Sequence, residues 1–238
     1  MADVQRAPAK LTVTLRVTGV RADGYHLLDS EMVALDLADI LEFRDGDGLE
    51  LVGGPSVPVD DSNLVRRALR AVGRRADVRL HKHIPMGAGL GGGSSDAAAV
   101  LRWAGVDDLS LAASLGADVP FCLVGGRARV QGIGEILDPL PYRARTFTLL
   151  TPPLFVSTPA VYRAWDDLGG PSADGPNDLE PAALVVEPRL AEWRDRLGDA
   201  TGQTPTLAGS GSTWFVEGAF AGPDMVVTTT QPAADRSP

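Results

Sequence analysis

Cysteine is nearly absent from the 238-residue chain. Cys122 stands alone, which excludes an intramolecular disulfide framework and any multi-cysteine zinc site. Histidine is scarce as well, at His26, His81 and His83, so no structural metal centre is expected. Positive charge is in short supply: 22 Lys and Arg face 31 Asp and Glu, a formal net charge of −9. That balance argues against a protein that coats nucleic acid or an anionic membrane, because such binding needs clustered positive charge. It leaves room for a phosphorylated small molecule held by backbone amides. Long apolar runs are missing too. The most apolar stretch, Ala97 to Val106, is broken by Arg102 and falls far short of the roughly 20 residues a membrane-spanning helix requires. No apolar core follows the N-terminal Met-Ala-Asp-Val-Gln-Arg-Ala-Pro, so the expectation is a cytoplasmic protein without a signal peptide. There is no internal repeat and no heptad pattern.

What is present suffices for a globular core: 44% of residues are hydrophobic, and the length suits one large domain or two small ones. Strand-like runs are expected at Leu11 to Thr18, Leu27 to Leu37, Ile40 to Phe43, Ala76 to His81, Arg127 to Gln131 and Phe147 to Leu150. Helices are expected from Ser62 or Asn63 to Val72, over Ala97 to Ala104, Leu109 to Leu115, Thr158 to Trp165, Leu179 to Val185 and Pro188 to Leu197. Asp45 to Pro58 reads as turns around a short strand. Pro139 to Arg145 is a junction candidate, dividing a first domain (1–145) from a second (146–220). Residues 221–238 are polar and contain proline, and a flexible tail is expected there.

The strongest chemical signal is the glycine loop, with Gly87, Gly89, Gly91, Gly92 and Gly93 running into Ser94-Ser95 and an alanine-rich helix. Glycine admits positive φ and lets backbone N–H groups approach a ligand. A helix that starts there adds unpaired N–H groups and a positive dipole end. Together these suit a phosphate. The loop is no Walker A, since no Gly-Lys-Ser/Thr follows at the expected spacing. Nor is it a dinucleotide fingerprint, since no acidic residue stands at a strand end about 20 residues on. Lys10, at a strand entrance, would ordinarily be a solvated charge. Asp118, among Gly116, Ala117, Val119, Pro120 and Phe121, needs a cationic or hydrogen-bonding partner to stay ionised. A Lys–Asp pair beside a phosphate cradle is a constellation for phosphoryl transfer. Two of the three tyrosines, Tyr25 beside His26 and Tyr162, would sandwich a base if they faced one cleft.

Taken in order, Pro8-Ala-Lys-Leu11, Asp23-Gly-Tyr-His26, Ile84-Pro-Met-Gly-Ala-Gly-Leu-Gly-Gly-Gly-Ser-Ser-Asp96, Leu115-Gly-Ala-Asp-Val-Pro-Phe121, Asn177-Asp-Leu-Glu180 and Gly209-Ser-Gly-Ser212 resemble the GHMP kinase superfamily, named for galactokinase, homoserine kinase, mevalonate kinase and phosphomevalonate kinase. The resemblance covers roughly residues 6 to 217. It implies an α+β fold of two domains, the first ribosomal-protein-like with a β-α-β unit, the second ferredoxin-like. It also implies ATP over the glycine loop with Mg²⁺ as counter-ion, and an alcohol acceptor on a small molecule carrying a cytidine diphosphate group. The protein would act as a monomer or homodimer. Carried over, Asp118 is the catalytic base and Lys10 its electrostatic partner. Gly87, Ala88, Gly89, Leu90, Gly91, Gly92, Gly93, Ser94 and Ser95 hold the phosphates, with Asn63 and Lys82 near the nucleotide. Tyr25, His26 and Tyr162 hold the cytosine, and Thr12, Gly209 and Gly211 close the acceptor site. Two departures stand out. Thr12 occupies a position where the family usually has Asn. And only residues 217–238 follow the last glycine motif, so a final helix is expected to be missing from a shortened second domain. The competing expectations are a sister kinase with another small alcohol and a nucleotide-binding relative without activity. An RNA-binding module with the first domain's fold is disfavoured by the −9 charge.

Overall fold

The computed structural model describes residues 3–54 and 57–233. Its first element is a long bent hairpin: β1 (Asp3–Val20) and β2 (His26–Arg44) pair antiparallel, with Lys10 opposite Ala34. Gly24, at φ 87°, closes the connecting turn. The two runs expected in β2 are one strand, and three register shifts, the first between Pro8 and Lys10, bend the pair. Along β1 the faces alternate, as a period of two requires. Ala9, Leu11 and Val13 enter the core, while Lys10 and Thr12 turn the other way and line a cleft.

The first sheet runs β3-β4-β2-β5-β6, with β1 added on β2. Its other members are β3 (Gly48–Leu51), β4 (Asp77–His81), β5 (Arg127–Gly132) and β6 (Ile136–Pro139). Four helices accompany it: α1 (Leu64–Ala71), α2 (Gly92–Trp103), α3 (Leu109–Leu115) and α4 (Val119–Val124). Their shared core brings Met32, Leu41, Phe43, Val78 and Leu80 against the buried run Ala97 to Leu101 of α2 and Phe121 of α4. Small alanines let α2 lie close on the strands. Neither α4 nor β6 was legible in the sequence pattern; α4 is one short turn-and-a-half whose second residue is Pro120.

The second sheet, β10-β7-β9-β8, consists of β7 (Thr146–Leu150), β8 (Thr206–Leu207), β9 (Trp214–Glu217) and β10 (Met225–Thr229). On one face lie α5 (Thr158–Asp167), α6 (Glu180–Val186) and α7 (Leu190–Thr201), packed through Trp214, Leu150, Val161 and Leu197. Its other face meets the first sheet: Phe147, Leu149 and Phe215 pack with Ala9, Leu11, Val33 and Leu35.

The expectation of a flexible tail over 221–238 is corrected by β10. Val226, Val227 and the three threonines that follow are β-branched and suit a strand, although the segment reads as polar. Thr228 Oγ1 donates to Asp36 and Thr230 is buried, its Oγ1 accepting from Arg145 N at 3.0 Å. Residues 234–238 of that segment lie outside the described residues. No helix stands between β9 and β10, as expected, and Val227 on the helix side of the sheet is left 46% exposed.

Candidate active site

A cleft of about 850 Å³ opens between β1 and β2 of the first sheet, the glycine loop, and residues 158–166 and the Gly209–Ser210 turn of the second half. The loop is shaped by three glycines in the left-handed region: Gly87, Gly89 and Gly91 at φ 67°, 76° and 68°. At Gly89 a side chain would run into the carbonyl oxygen of Ala208, so the loop lies directly on the turn Ala208–Gly211 of the second sheet. Gly91 serves as the N-cap of α2, and the first intrahelical bond is Ser95 N to Gly91 O. The amides of Gly92, Gly93 and Ser94 therefore have no intrahelical acceptor and stand at the positive end of a twelve-residue helix.

Lys10 reaches the cleft from β1, its backbone N bonded to Leu90 O. Its ammonium lies 3.3 Å from Asp118 Oδ2 and donates to Thr12 Oγ1 at 3.1 Å. The Lys10 side chain is almost wholly buried, whereas Asp118 is 32% exposed to the cleft. Asp118 sits at the N-cap of α4 but makes no capping bond with its side chain, so its carboxylate is held by Lys10 through Oδ2 and not by the helix start. The pair expected from sequence thus forms, across more than a hundred residues of chain, beside the helix start.

At one end of the cleft Asn63 caps α1, its Oδ1 accepting from Val65 N and its Nδ2 donating to Pro58 O at 2.6 Å. Val57, Pro58, Leu64 and Met86 line the wall there. The sequence reading missed these apolar residues, because a lining hydrophobe carries no local signature. Phe155, 73% exposed, stands over Gly87. At the other end, His26 packs on Tyr162 with ring centroids 4.6 Å apart and edge-on to Trp165. Its Nε2 bonds Asp166 Oδ1 at 2.8 Å. Burial, helped by the Asp118 charge, raises the Tyr162 phenol and keeps it neutral. Tyr25 is exposed, with Arg21 over its ring. Both tyrosines border the cleft, and Tyr162 carries the His26 ring against its own.

Gly209 borders the cleft beside Lys10, 3.7 Å from Lys10 Nζ measured from a Cβ position. Asn177 fixes this turn: its Nδ2 donates to Leu207 O and Gly209 O, and its Oδ1 accepts from Leu179 N. Asp178 next to it takes Arg16 Nη1 at 2.6 Å and Val17 N at 3.0 Å. The Asn-Asp motif thus ties the second half of the chain to β1.

Four expected site residues are not on the cleft wall as free contacts. Leu90 is buried in the core between the sheets. Ser95 is fully buried, and its hydroxyl donates to Pro8 O at 2.6 Å. Gly211 shapes the turn, bonding Ala208 O through its amide. Lys82 lines the cleft, yet its ammonium is spent on two carboxylates, Asp39 and Asp96. Among the described residues no three acidic or histidine side chains converge to hold a metal ion, and no helix is long and apolar enough to cross a membrane.

Residues 63–126 match the model of the GHMP kinases N terminal domain. The chain is 41% identical over 239 residues to the 4-diphosphocytidyl-2-C-methyl-D-erythritol kinase of Paracoccus denitrificans, covering 91% of this chain and 86% of that protein. To the enzyme of the same name from Dinoroseobacter shibae it is 40% identical over 270 residues, covering 98% and 90%. Among solved structures, a 4-(cytidine 5'-diphospho)-2C-methyl-D-erythritol kinase superposes with a TM-score of 0.76 at 35% identity, covering 96% of this chain and 99% of the other. A mevalonate kinase superposes with a TM-score of 0.57 at 11% identity, a likeness of fold alone.

Proposed function

The chain belongs to the 4-diphosphocytidyl-2-C-methyl-D-erythritol kinases, a branch of the GHMP kinases, and from that premise we propose how its cleft works. It is an ATP-dependent kinase of isoprenoid precursor synthesis that phosphorylates a small-molecule alcohol. We assign the transfer to the 2-hydroxyl of the methylerythritol unit and the location to the cytoplasm. The sister-kinase alternative has only shared fold behind it, since homoserine and mevalonate kinases match at 19% identity or less.

The observation that carries the mechanism is the Lys10–Asp118 pair beside the start of α2. Polyphosphate oxygens take the amides of the glycine loop and of Gly92, Gly93 and Ser94, where a helix N-terminus favours an anion. The acceptor hydroxyl lies against Asp118, which takes or orients its proton. The hydroxyl oxygen forms a bond to the γ-phosphorus, the bond from that phosphorus to the β,γ-bridging oxygen breaks, and ADP departs. Lys10 offsets the charge that develops between acceptor and γ-phosphate. Among the described residues no acidic or histidine cluster builds a metal cage. Mg²⁺ would come held by the nucleotide's phosphates and their waters, as part of the substrate. The cytosine seats on the His26–Tyr162 wall, with Tyr25 closing over it.

A turnover assay tests this reading. ATP, Mg²⁺ and 4-diphosphocytidyl-2-C-methyl-D-erythritol are followed by phosphorus NMR. ADP and a new phosphomonoester signal are expected, with the rate in Asp118→Asn lower by ~10²–10⁴-fold. Intact ATP beside intact acceptor, or full activity in Asp118→Asn, rejects it.

A further inference from the structure

Beneath the glycine loop lies a buried charge cluster that the transfer step does not use. Lys82, at the end of β4, donates from Nζ to Asp39 Oδ2 and, at 2.9 Å, to Asp96 Oδ2. Side-chain exposures of the three are 3%, 0% and 5%. Asp39 is saturated, because its Oδ1 also accepts from His83 N at 2.5 Å and Ile84 N at 2.9 Å. Those two amides open the segment that leads into the loop, so Asp39 anchors the loop's entry. Asp96, on the first turn and a half of α2, is different: its Oδ1 is buried and meets no hydrogen-bond donor. The ammonium lies directly under the loop, 3.1 Å from where a Cβ on Gly92 would stand.

Two carboxylates and one ammonium carry a net charge of −1 when all are ionised. Among the described residues no second cation bonds Asp39 or Asp96. From β1 the nearest charge is Lys10, engaged with Asp118 and Thr12. From α4 comes Cys122, whose thiol is pushed up to about 12, chiefly by burial, and is neutral. Arg66 and Arg70 of α1 bond Val59 O and Asp61, and Arg67 is exposed. Asp108 caps α3. His83 turns its ring to Ala38 O. A buried, unpaired carboxylate oxygen with excess negative charge is costly, and a proton removes the cost.

We propose that Asp96 takes up a proton from solvent when the nucleotide's polyphosphate binds above the Asp39–Lys82–Asp96 cluster, so that nucleotide affinity falls as pH rises. The inference rests on the glycine loop being the nucleotide site. Burial is the main force that pushes the Asp96 carboxyl up, to about 7, against the attraction of Lys82 and with a further push from Asp39. Burial works to lower Lys82, but its two carboxylates outweigh that and raise it, so it remains the cation. A polyanion arriving on the loop adds repulsion and raises Asp96 further. Below the value in the free protein, both states hold the proton and binding is pH-independent. Between the free and bound values, binding draws a proton in, and affinity weakens by at most tenfold per pH unit, the limit for one linked proton. Above the bound value no proton is exchanged.

The test is calorimetry of ADP binding without Mg²⁺ near neutral pH, in buffers of different ionisation enthalpy, on wild type and Asp96→Asn. The neutral amide stands in for the protonated carboxyl, and the nucleotide's own titration is common to both. Greater proton uptake by wild type, by a fraction of one proton up to one, is expected. Equal uptake overturns the inference while leaving the nucleotide site intact; no ADP binding to wild type overturns both. If Asp96→Asn does not fold, the infrared difference spectrum of wild type with and without ADP decides. A protonated-carboxyl band gained on binding supports the proposal, and no such band overturns it.

Discussion

Lys10 has three ammonium protons and two acceptors, Asp118 and Thr12. In the proposed mechanism the third proton serves the oxygen that transfers or receives the phosphoryl group. Thr12 is therefore a positioning residue for the ammonium: its Oγ1 does for Lys10 what a side-chain amide oxygen at the same place would do. Thr12→Val keeps the shape and removes the acceptor. A hydrogen bond to a charged group contributes about 1.5–3 kcal/mol, so kcat should fall roughly 10- to 150-fold. Thr12→Ser should restore most of it, with the KM for ATP little changed in steady-state assays. At the far end of the cleft, Tyr25→Ala combined with Tyr162→Ala should raise the KM for the cytidine substrate and spare that for ATP. Base stacking on an aromatic ring is worth about 1–3 kcal/mol, which corresponds to roughly 5- to 150-fold. Lys10 and Asp118 were legible because each stands in a short motif beside unusual neighbours. The partnership of Lys82 with Asp39 was not, because 43 residues separate them and neither strand pattern marks the contact. Ser95 misled for a related reason: a serine next to a glycine loop looks like a ligand, and only the fold turns its hydroxyl back to Pro8.

Among the elements, the glycine loop makes the sharpest demand on residue type. Gly89→Ala would place a methyl against the Ala208 carbonyl at φ 76°. The left-handed backbone alone costs about 1–2 kcal/mol, and the clash forces loop and turn apart. Both a lower melting temperature and a higher KM for ATP are expected. Gly93→Ala is the control: it lies inside α2, and its methyl would meet only Leu64 at 3.5 Å, an ordinary contact. Its melting temperature should hold or rise slightly. Run lengths also explain which elements were visible. The loop–helix junction at α2 announces itself in glycines and alanines. The short α4 and the four-residue β6 have too few residues to show a period. β10 hid behind threonines, whose hydroxyls find partners only across the molecule.

At the scale of the whole molecule, the two sheets are joined by polar ties as well as by Phe147, Leu149 and Phe215. Asp36 of β2 accepts from Thr228 Oγ1, Thr229 N and Thr229 Oγ1, and Asp178 ties residues 173–178 to Arg16 and Val17. Thr228→Val leaves the shape of β10 intact and strips Asp36 of one donor. Asp36 is exposed and keeps its two bonds from Thr229, so a loss of about 1 kcal/mol, the net worth of one hydrogen bond, is expected in denaturant unfolding. The alternation along β1 reaches further than either tie. One face of that strand, through Ala9, Leu11 and Val13, closes the space between the sheets, while the other carries Lys10 and Thr12. A slip of one residue exchanges the two faces: it pushes lysine into the apolar interior at the same moment as it withdraws the ammonium from Asp118. Misregistered chains are thus discarded by the folding step itself. The strand proofreads the placing of Lys10, and a chain that folds in register has already set that ammonium beside Asp118.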